Sequence, residues 1–130
     1  MLFSLSFDPV KMMEKVTWDP KSNTFVGHID FSSDGQYLQS TCGAFEYVCS
    51  DPNTGTSIPA ISTLKDVRWE TWTCPLGWPV QGIWTPFADG SDINAADRSP
   101  DRKLIITGDD DGAVKVFNYP AIEEGAGFVE

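Results

Sequence analysis

The chain is short of basic charge, histidine, cysteine, long apolar runs and helical periodicity, and each shortage removes a class of function. Nine Lys and Arg stand against nineteen Asp and Glu, a formal net charge of −10. A field of that sign repels phosphate backbones and anionic headgroups, so no nucleic acid and no membrane surface is expected as a partner. No apolar run approaches the length needed to cross a bilayer. The opening MLFSLSFDPVKMMEK has no basic residue ahead of its apolar part, and Asp8-Pro9 cuts it short. It does not read as a signal peptide, and the chain is expected to be intracellular.

The three cysteines, Cys42, Cys49 and Cys74, are odd in number and lack the C-x-x-C spacing of zinc sites. They are expected as reduced, partly buried thiols. His28 is the only histidine, so a Ser-His-Asp arrangement would have to use it, and no G-x-S-x-G motif accompanies it. A hydrogen-bonded strand histidine is the plainer reading. CGAFEY and EEGAGFVE contain glycine but lack the spacing and the lysine of a phosphate-binding loop. No catalytic residue, cofactor or metal is expected, and the chain does not read as an enzyme. VKMMEKV is the one weak helical candidate.

What remains is enough for one globular domain of 130 residues, 41% of them hydrophobic. Within it two segments share an outline: DFSSDGQYLQSTCGAFEYVCSD from Asp30, and DRSPDRKLIITGDDDGAVKVFN from Asp97, an offset of 67 residues without a gap. Asp30 meets Asp97, Ser32 meets Ser99, Asp34 meets Asp101, and Tyr37-Leu38 meets Leu104-Ile105. Each segment reads as strand, polar turn, apolar strand, tight turn, strand. SSDG and SPDR supply turn chemistry, LIITG is β-branched and apolar, and DDDG signals a hairpin.

Short antiparallel strands repeated at long period predict an all-β, WD40-type β-propeller, with about two blades present. A WD-type blade takes ~40–45 residues, so the offset leaves roughly 22–27 residues between the units. That surplus holds DVRWETWTCPLGWPVQGIW, with Trp69, Trp72, Trp78 and Trp84. The expected division is a lead-in at 1–24, a blade at 25–65, a Trp-rich insertion at 66–92, a partial second blade at 93–120 and a tail at 121–130. The tryptophans are read as packing between the blades. Their alternative is a partner interface, since Trp is enriched among binding hot spots. Asp109, Asp110 and Asp111 lack the alternating carboxylates of a calcium loop and read as a hairpin turn.

The Trp-rich insertion, followed by DGSDINAADRS and TGDDDGAVKVFNYP and preceded by HIDFSSDGQYLQSTCGAFEY, resembles the echinoderm microtubule-associated protein-like family. The resemblance runs from about Phe25 to Pro120. It implies WD repeats in two joined atypical propellers, tubulin or microtubule-associated proteins as partners, and a place in the cytoplasm and cytoskeleton, with a cilium or flagellum axoneme among the settings. It also implies that an Asp in the tight turn between second and third strands organises the blade. Asp111, followed by Gly112, matches that position; the first unit has Ala44 there. Two units do not close a propeller, so the chain is expected to be a fragment or a partial domain completed by other blades or chains. The acidic net charge argues that any contact with an acidic microtubule surface uses apolar groups or a local basic spot, such as Arg98, Arg102 and Lys103 or Lys65 and Arg68. The alternative function is a generic WD-repeat scaffold with no direct tubulin contact.

Overall fold

The structure, a computed structural model, describes residues 7–8, 13–14, 24–59, 64–87 and 92–130. Strand β1 (Phe7–Asp8) pairs antiparallel with β2 (Met13–Glu14). The described residues of VKMMEKV are therefore strand, not helix; the others lie outside the described residues.

The first sheet consists of β3 (Val26–Phe31), β4 (Leu38–Cys42), β5 (Tyr47–Asp51) and β6 (Thr56–Ser57), antiparallel and in chain order. The second consists of β7 (Ile93–Arg98), β8 (Leu104–Asp109), β9 (Val114–Asn118) and β10 (Phe128–Val129), in the same arrangement. The 67-residue offset carries β3 onto β7 and β5 onto β9 residue for residue. Even the irregularity is shared: register slips between Val26 and His28 in one sheet and between Ile93 and Ala95 in the other. Strand β10 falls in the segment set apart as a tail and gives the second sheet its fourth strand.

The turns repeat because their chemistry repeats. The Ser32 hydroxyl donates to Asp34 at 2.6 Å and accepts from the Tyr37 N–H at 2.9 Å. The Ser99 hydroxyl donates to Asp101 at 2.6 Å and accepts from the Leu104 N–H at 3.0 Å. Such short polar side chains close a turn locally and release the chain into the next strand. Left-handed backbone also recurs at equivalent places. Gly112 in the second tight turn has φ 80°, and its counterpart Phe45 has φ 61°.

Side chains alternate across a strand, so each sheet has two faces. The first sheet buries Asp30, Gln39, Thr41 and Cys49 and exposes Ile29 and Phe31 on the other side. The second buries Ala96, Ile105, Thr107 and Phe117 and exposes Leu104, Ile106 and Val114. The two inward faces look toward each other across the insertion. Its Trp69, Trp72, Val80 and Ile83, with Leu64 just before it, join Cys49 of one sheet and Ile105 and Phe117 of the other in one core. The insertion is thus a middle layer, and it carries a 3-10 helix at Trp78–Ile83.

Candidate interaction site at the tryptophan-rich insertion

The insertion is fastened by its backbone to both sheets. Next to β3, the Glu70 N–H donates to the Phe31 carbonyl at 2.9 Å and the Ser33 N–H to the Arg68 carbonyl at 2.7 Å. Two residues further on, the Arg98 N–H at the end of β7 donates to the Trp72 carbonyl at 3.1 Å. One extended thread therefore satisfies main-chain groups at the ends of two separate strands, which otherwise would need water.

Asp30 anchors the thread from the side. Its carboxylate accepts from the Gln39 amide at 2.9 Å, the Thr71 hydroxyl at 2.7 Å, and the Cys74 N–H at 3.2 Å. Thr73 adds its N–H and its hydroxyl. Burial raises the affinity of this carboxyl for a proton, but the donors from Thr71, Gln39, Thr73 and Cys74 outweigh it and hold the pKa below the usual carboxylate range. Behind it the Tyr47 hydroxyl donates to Gln39 at 2.7 Å, so the buried polar row is paired from end to end. Burial and the neighbouring Asp30 carboxylate push the Cys74 thiol up and keep it neutral. Cys49 and Cys74 are buried free thiols, and Cys42 is partly buried.

The indoles divide into two kinds. Trp69 and Trp72 are buried and meet edge to face, with centroids 5.9 Å apart. The Trp72 ring N–H donates to the Cys74 carbonyl at 2.7 Å, and the half-buried Trp84 donates to the Pro75 carbonyl at 2.9 Å. Trp78 is 37% exposed, with the Lys65 ammonium 4.8 Å from its ring centroid. Tyr47, Leu64, Trp69, Trp72, Trp78 and Tyr119 line a half-open cleft of about 210 Å³. Its walls are aromatic and carry no convergent acid–base pair.

The 3-10 helix is pinned from the far side by the chain after β9. The Gly82 N–H donates to the Ala121 carbonyl at 2.7 Å, and the Ala121 N–H to the Pro79 carbonyl at 2.8 Å. A β-carbon on Gly82 would stand 2.4 Å from the Glu123 carbonyl oxygen, so only glycine fits.

The three basic candidates do not share one role. Arg98 turns inward, donating to the carbonyls of Trp69 and Glu70 and lying 5.2 Å from the Tyr119 ring centroid. Arg102 stands 3.9 Å from the Glu70 carboxylate. Lys103 is exposed. In the tight turn after β8, the collecting carboxylate belongs to Asp109, two residues before the expected Asp111. Asp109 accepts from the N–H groups of Asp111 at 3.1 Å and Ala113 at 2.8 Å and from the Lys115 ammonium at 2.8 Å. The ammonium of Lys115 holds its pKa down. Asp111 contributes its backbone, and Gly112 its positive φ.

His28 sits in β3 between the units. Its Nε2 donates to the Asn94 carbonyl at 3.0 Å, which leaves Nδ1 facing the Thr41 hydroxyl at 2.9 Å. Among the described residues no group of three His, Cys, Asp or Glu gathers as a metal site, and no helix is long and apolar enough to cross a membrane.

Two four-stranded antiparallel sheets with shared register, set face toward face, are blades of a β-propeller. The chain belongs to the echinoderm microtubule-associated protein family: residues 3–130 match the family model for the echinoderm microtubule-associated protein second beta-propeller. It is 41% identical over 98 residues to echinoderm microtubule-associated protein-like 1 of Mus musculus, covering 75% of this chain and 12% of that protein. It is 42% identical over 98 residues to the 77 kDa echinoderm microtubule-associated protein of Strongylocentrotus purpuratus, covering 75% of this chain and 14% of that one. Echinoderm microtubule-associated protein-like 2 of Mus musculus is 40% identical over 104 residues, 80% of this chain and 16% of its own. The chain thus spans a small part of the length of the relatives it matches.

Proposed function

We propose that the chain serves as a non-enzymatic structural and binding module on microtubules, in the cytoplasmic cytoskeleton and in stable assemblies such as axonemes. The observation that carries this reading is the insertion, whose one thread hydrogen-bonds both blades and whose Thr71, Thr73 and Cys74 close on the buried Asp30 carboxylate of the first. The relatives are named for microtubule association. A pair of blades with a largely aromatic cleft between them suits protein recognition.

The charge decides how contact is made. A net charge of −10 works against an acidic filament. Arg98 and Arg102 already face partners within the chain, so apolar contacts around Trp78 and contacts through other proteins carry the binding. Co-sedimentation of the purified chain with microtubules across a salt series tests this. Binding with a shallow salt dependence is the expected result, because few counterions are released when few charges pair. A steep loss with salt would move the contact to Lys65, Arg68 and Lys103. Absence from the pellet at every ionic strength, with purified axonemes as well, would replace this reading with a WD-repeat scaffold that does not touch tubulin.

A further inference from the structure

The tight turn between β4 and β5 holds a strained residue whose side chain the core does not use. Phe45 has φ 61°, a left-handed backbone that a bulky side chain rarely adopts. Its twin in the second sheet, Gly112, makes the same turn with no β-carbon to crowd it. Main chain closes both turns: the Phe45 N–H donates to the Cys42 carbonyl at 3.0 Å, and the Gly112 N–H to the Asp109 carbonyl at 3.2 Å. Yet the Phe45 ring is 47% exposed and lies outside the core. Backbone strain of this kind concentrates at ligand-binding positions, where a side chain is held for a purpose other than folding.

Phe45 stands at the rim of a groove of about 130 Å³, lined by Phe25, Phe45, Pro75, Leu76, Ile93 and Asn94. Phe25 is 76% exposed, and its ring lies so close to Gly43 that a β-carbon there would stand 2.7 Å away. The groove lies between the two blades at the ends of their strands and shares no residue with the aromatic cleft of the insertion. Blades stack by their sheet faces, so further blades of a propeller leave this end open. Charge beside the groove is one-sided. The repeat offset carries Phe25 onto Asp92 and Gly43–Phe45 onto Asp110–Gly112, so the first blade ends in an apolar turn and the second in an acidic one. The two turn ends are joined: the His28 ring donates to the Asn94 carbonyl, and the Asn94 amide donates to the Asp110 carboxylate. Asp110 and Asp111 are exposed, and the Lys115 ammonium is committed to Asp109.

We propose that this groove docks a segment of another protein in which an apolar side chain is followed by basic ones. The apolar side chain enters between Phe25 and Phe45, over Pro75 and Leu76, and the basic ones meet Asp110 and Asp111. The net charge of −10 favours such a segment at longer range and disfavours an acidic one. The site goes beyond the cleft at Trp78 and does not depend on contact with microtubules.

Fluorescence polarisation tests it on the purified protein, in the full length in which the chain occurs, with three pools of short labelled peptides: apolar and basic, apolar and acidic, and basic without apolar residues. Binding is expected from the first pool only. Phe45→Asn keeps the turn, because asparagine accepts left-handed backbone. It is expected to leave the urea midpoint little changed and to weaken binding at least about tenfold, as loss of an aromatic anchor does. Asp111→Lys is expected to weaken binding severalfold at low salt and to flatten its salt dependence. It also keeps the test open should Phe45→Asn fail to fold. Binding of no pool, equal binding of the acidic pool, or unchanged binding by Phe45→Asn would each overturn the proposal. A lowered midpoint with unchanged binding would assign the ring to folding. If instead the parent self-associates and Phe45→Asn disperses it, with no peptide bound, the occupant is another copy and the proposal falls. No microtubule enters the measurement, so its failure leaves the microtubule reading to stand or fall on co-sedimentation.

Discussion

Thr73 gives Asp30 two donors: its N–H lies 3.0 and 2.9 Å from the two carboxylate oxygens and its hydroxyl 3.0 Å from one of them. One residue of the insertion thereby closes on one residue of the first sheet from two directions. The charge is essential to this geometry, because the carboxylate can accept at both oxygens and an amide cannot.

Asp30→Asn is therefore expected to lower stability at neutral pH by about 1–3 kcal/mol, the cost of leaving buried donors unpaired. The sign with pH follows from the depressed pKa of Asp30. Its contribution is fully present above the unfolded carboxyl pKa of about 3.9 and is lost as pH falls through the lower folded value. Urea unfolding of both proteins from neutral pH down to that range should show the difference shrinking. A constant or growing difference would remove the charge from the explanation.

In the tight turn after β8, Asp109→Ala should lower the melting temperature clearly more than Asp111→Ala. Asp109 gathers two N–H groups and the Lys115 ammonium, whereas Asp111 is exposed and gives only its backbone. Equal shifts in thermal melts would return the role to Asp111.

Gly112→Ala and Gly108→Ala separate backbone strain from crowding, since neither new β-carbon would meet another atom within 4 Å. Gly112 has φ 80°, so alanine there should cost about 1–2 kcal/mol. Gly108 lies in β8 with ordinary backbone, where alanine should be neutral or stabilising by up to about 1 kcal/mol. Chemical denaturation of the two variants checks the difference.

Trp72→Ala should cost about 3–5 kcal/mol, as loss of a fully buried ring leaves a cavity and an unpaired Cys74 carbonyl. Trp78→Ala should cost under about 1 kcal/mol, since its ring is partly in water. If Trp78 is the apolar contact proposed for microtubules, its loss should weaken co-sedimentation with little change in the urea midpoint. A large stability loss at Trp78 would count against an interface role.

The repeat was legible because it is written in turn chemistry. Ser32 with Asp34 and Ser99 with Asp101 mark equivalent corners, and strands follow them at fixed spacing. The Trp-rich insertion also stood out as surplus to a blade. Less visible was which Asp of the Asp109–Asp111 run faces its own turn, because three adjacent carboxylates carry the same pattern and only local backbone direction separates them. Asp30 and Asp97 are the same residue at the same register, yet one is buried and paired and the other exposed. Their difference comes from the insertion, which covers one of them only. Strand β10 is two residues long and stands among glycines, too short to show alternation.

The donors that complete Asp30 lie 41 to 44 residues later in the chain. During synthesis β3–β6 emerge with that carboxylate still hydrated and their inner face uncovered. Loop closure over such a separation must precede the reward of the contacts, which slows folding of non-local β structure. The first blade therefore waits on the second half of the chain, and an arrest of synthesis before Cys74 would leave it a partly formed sheet with a charge where its core should be.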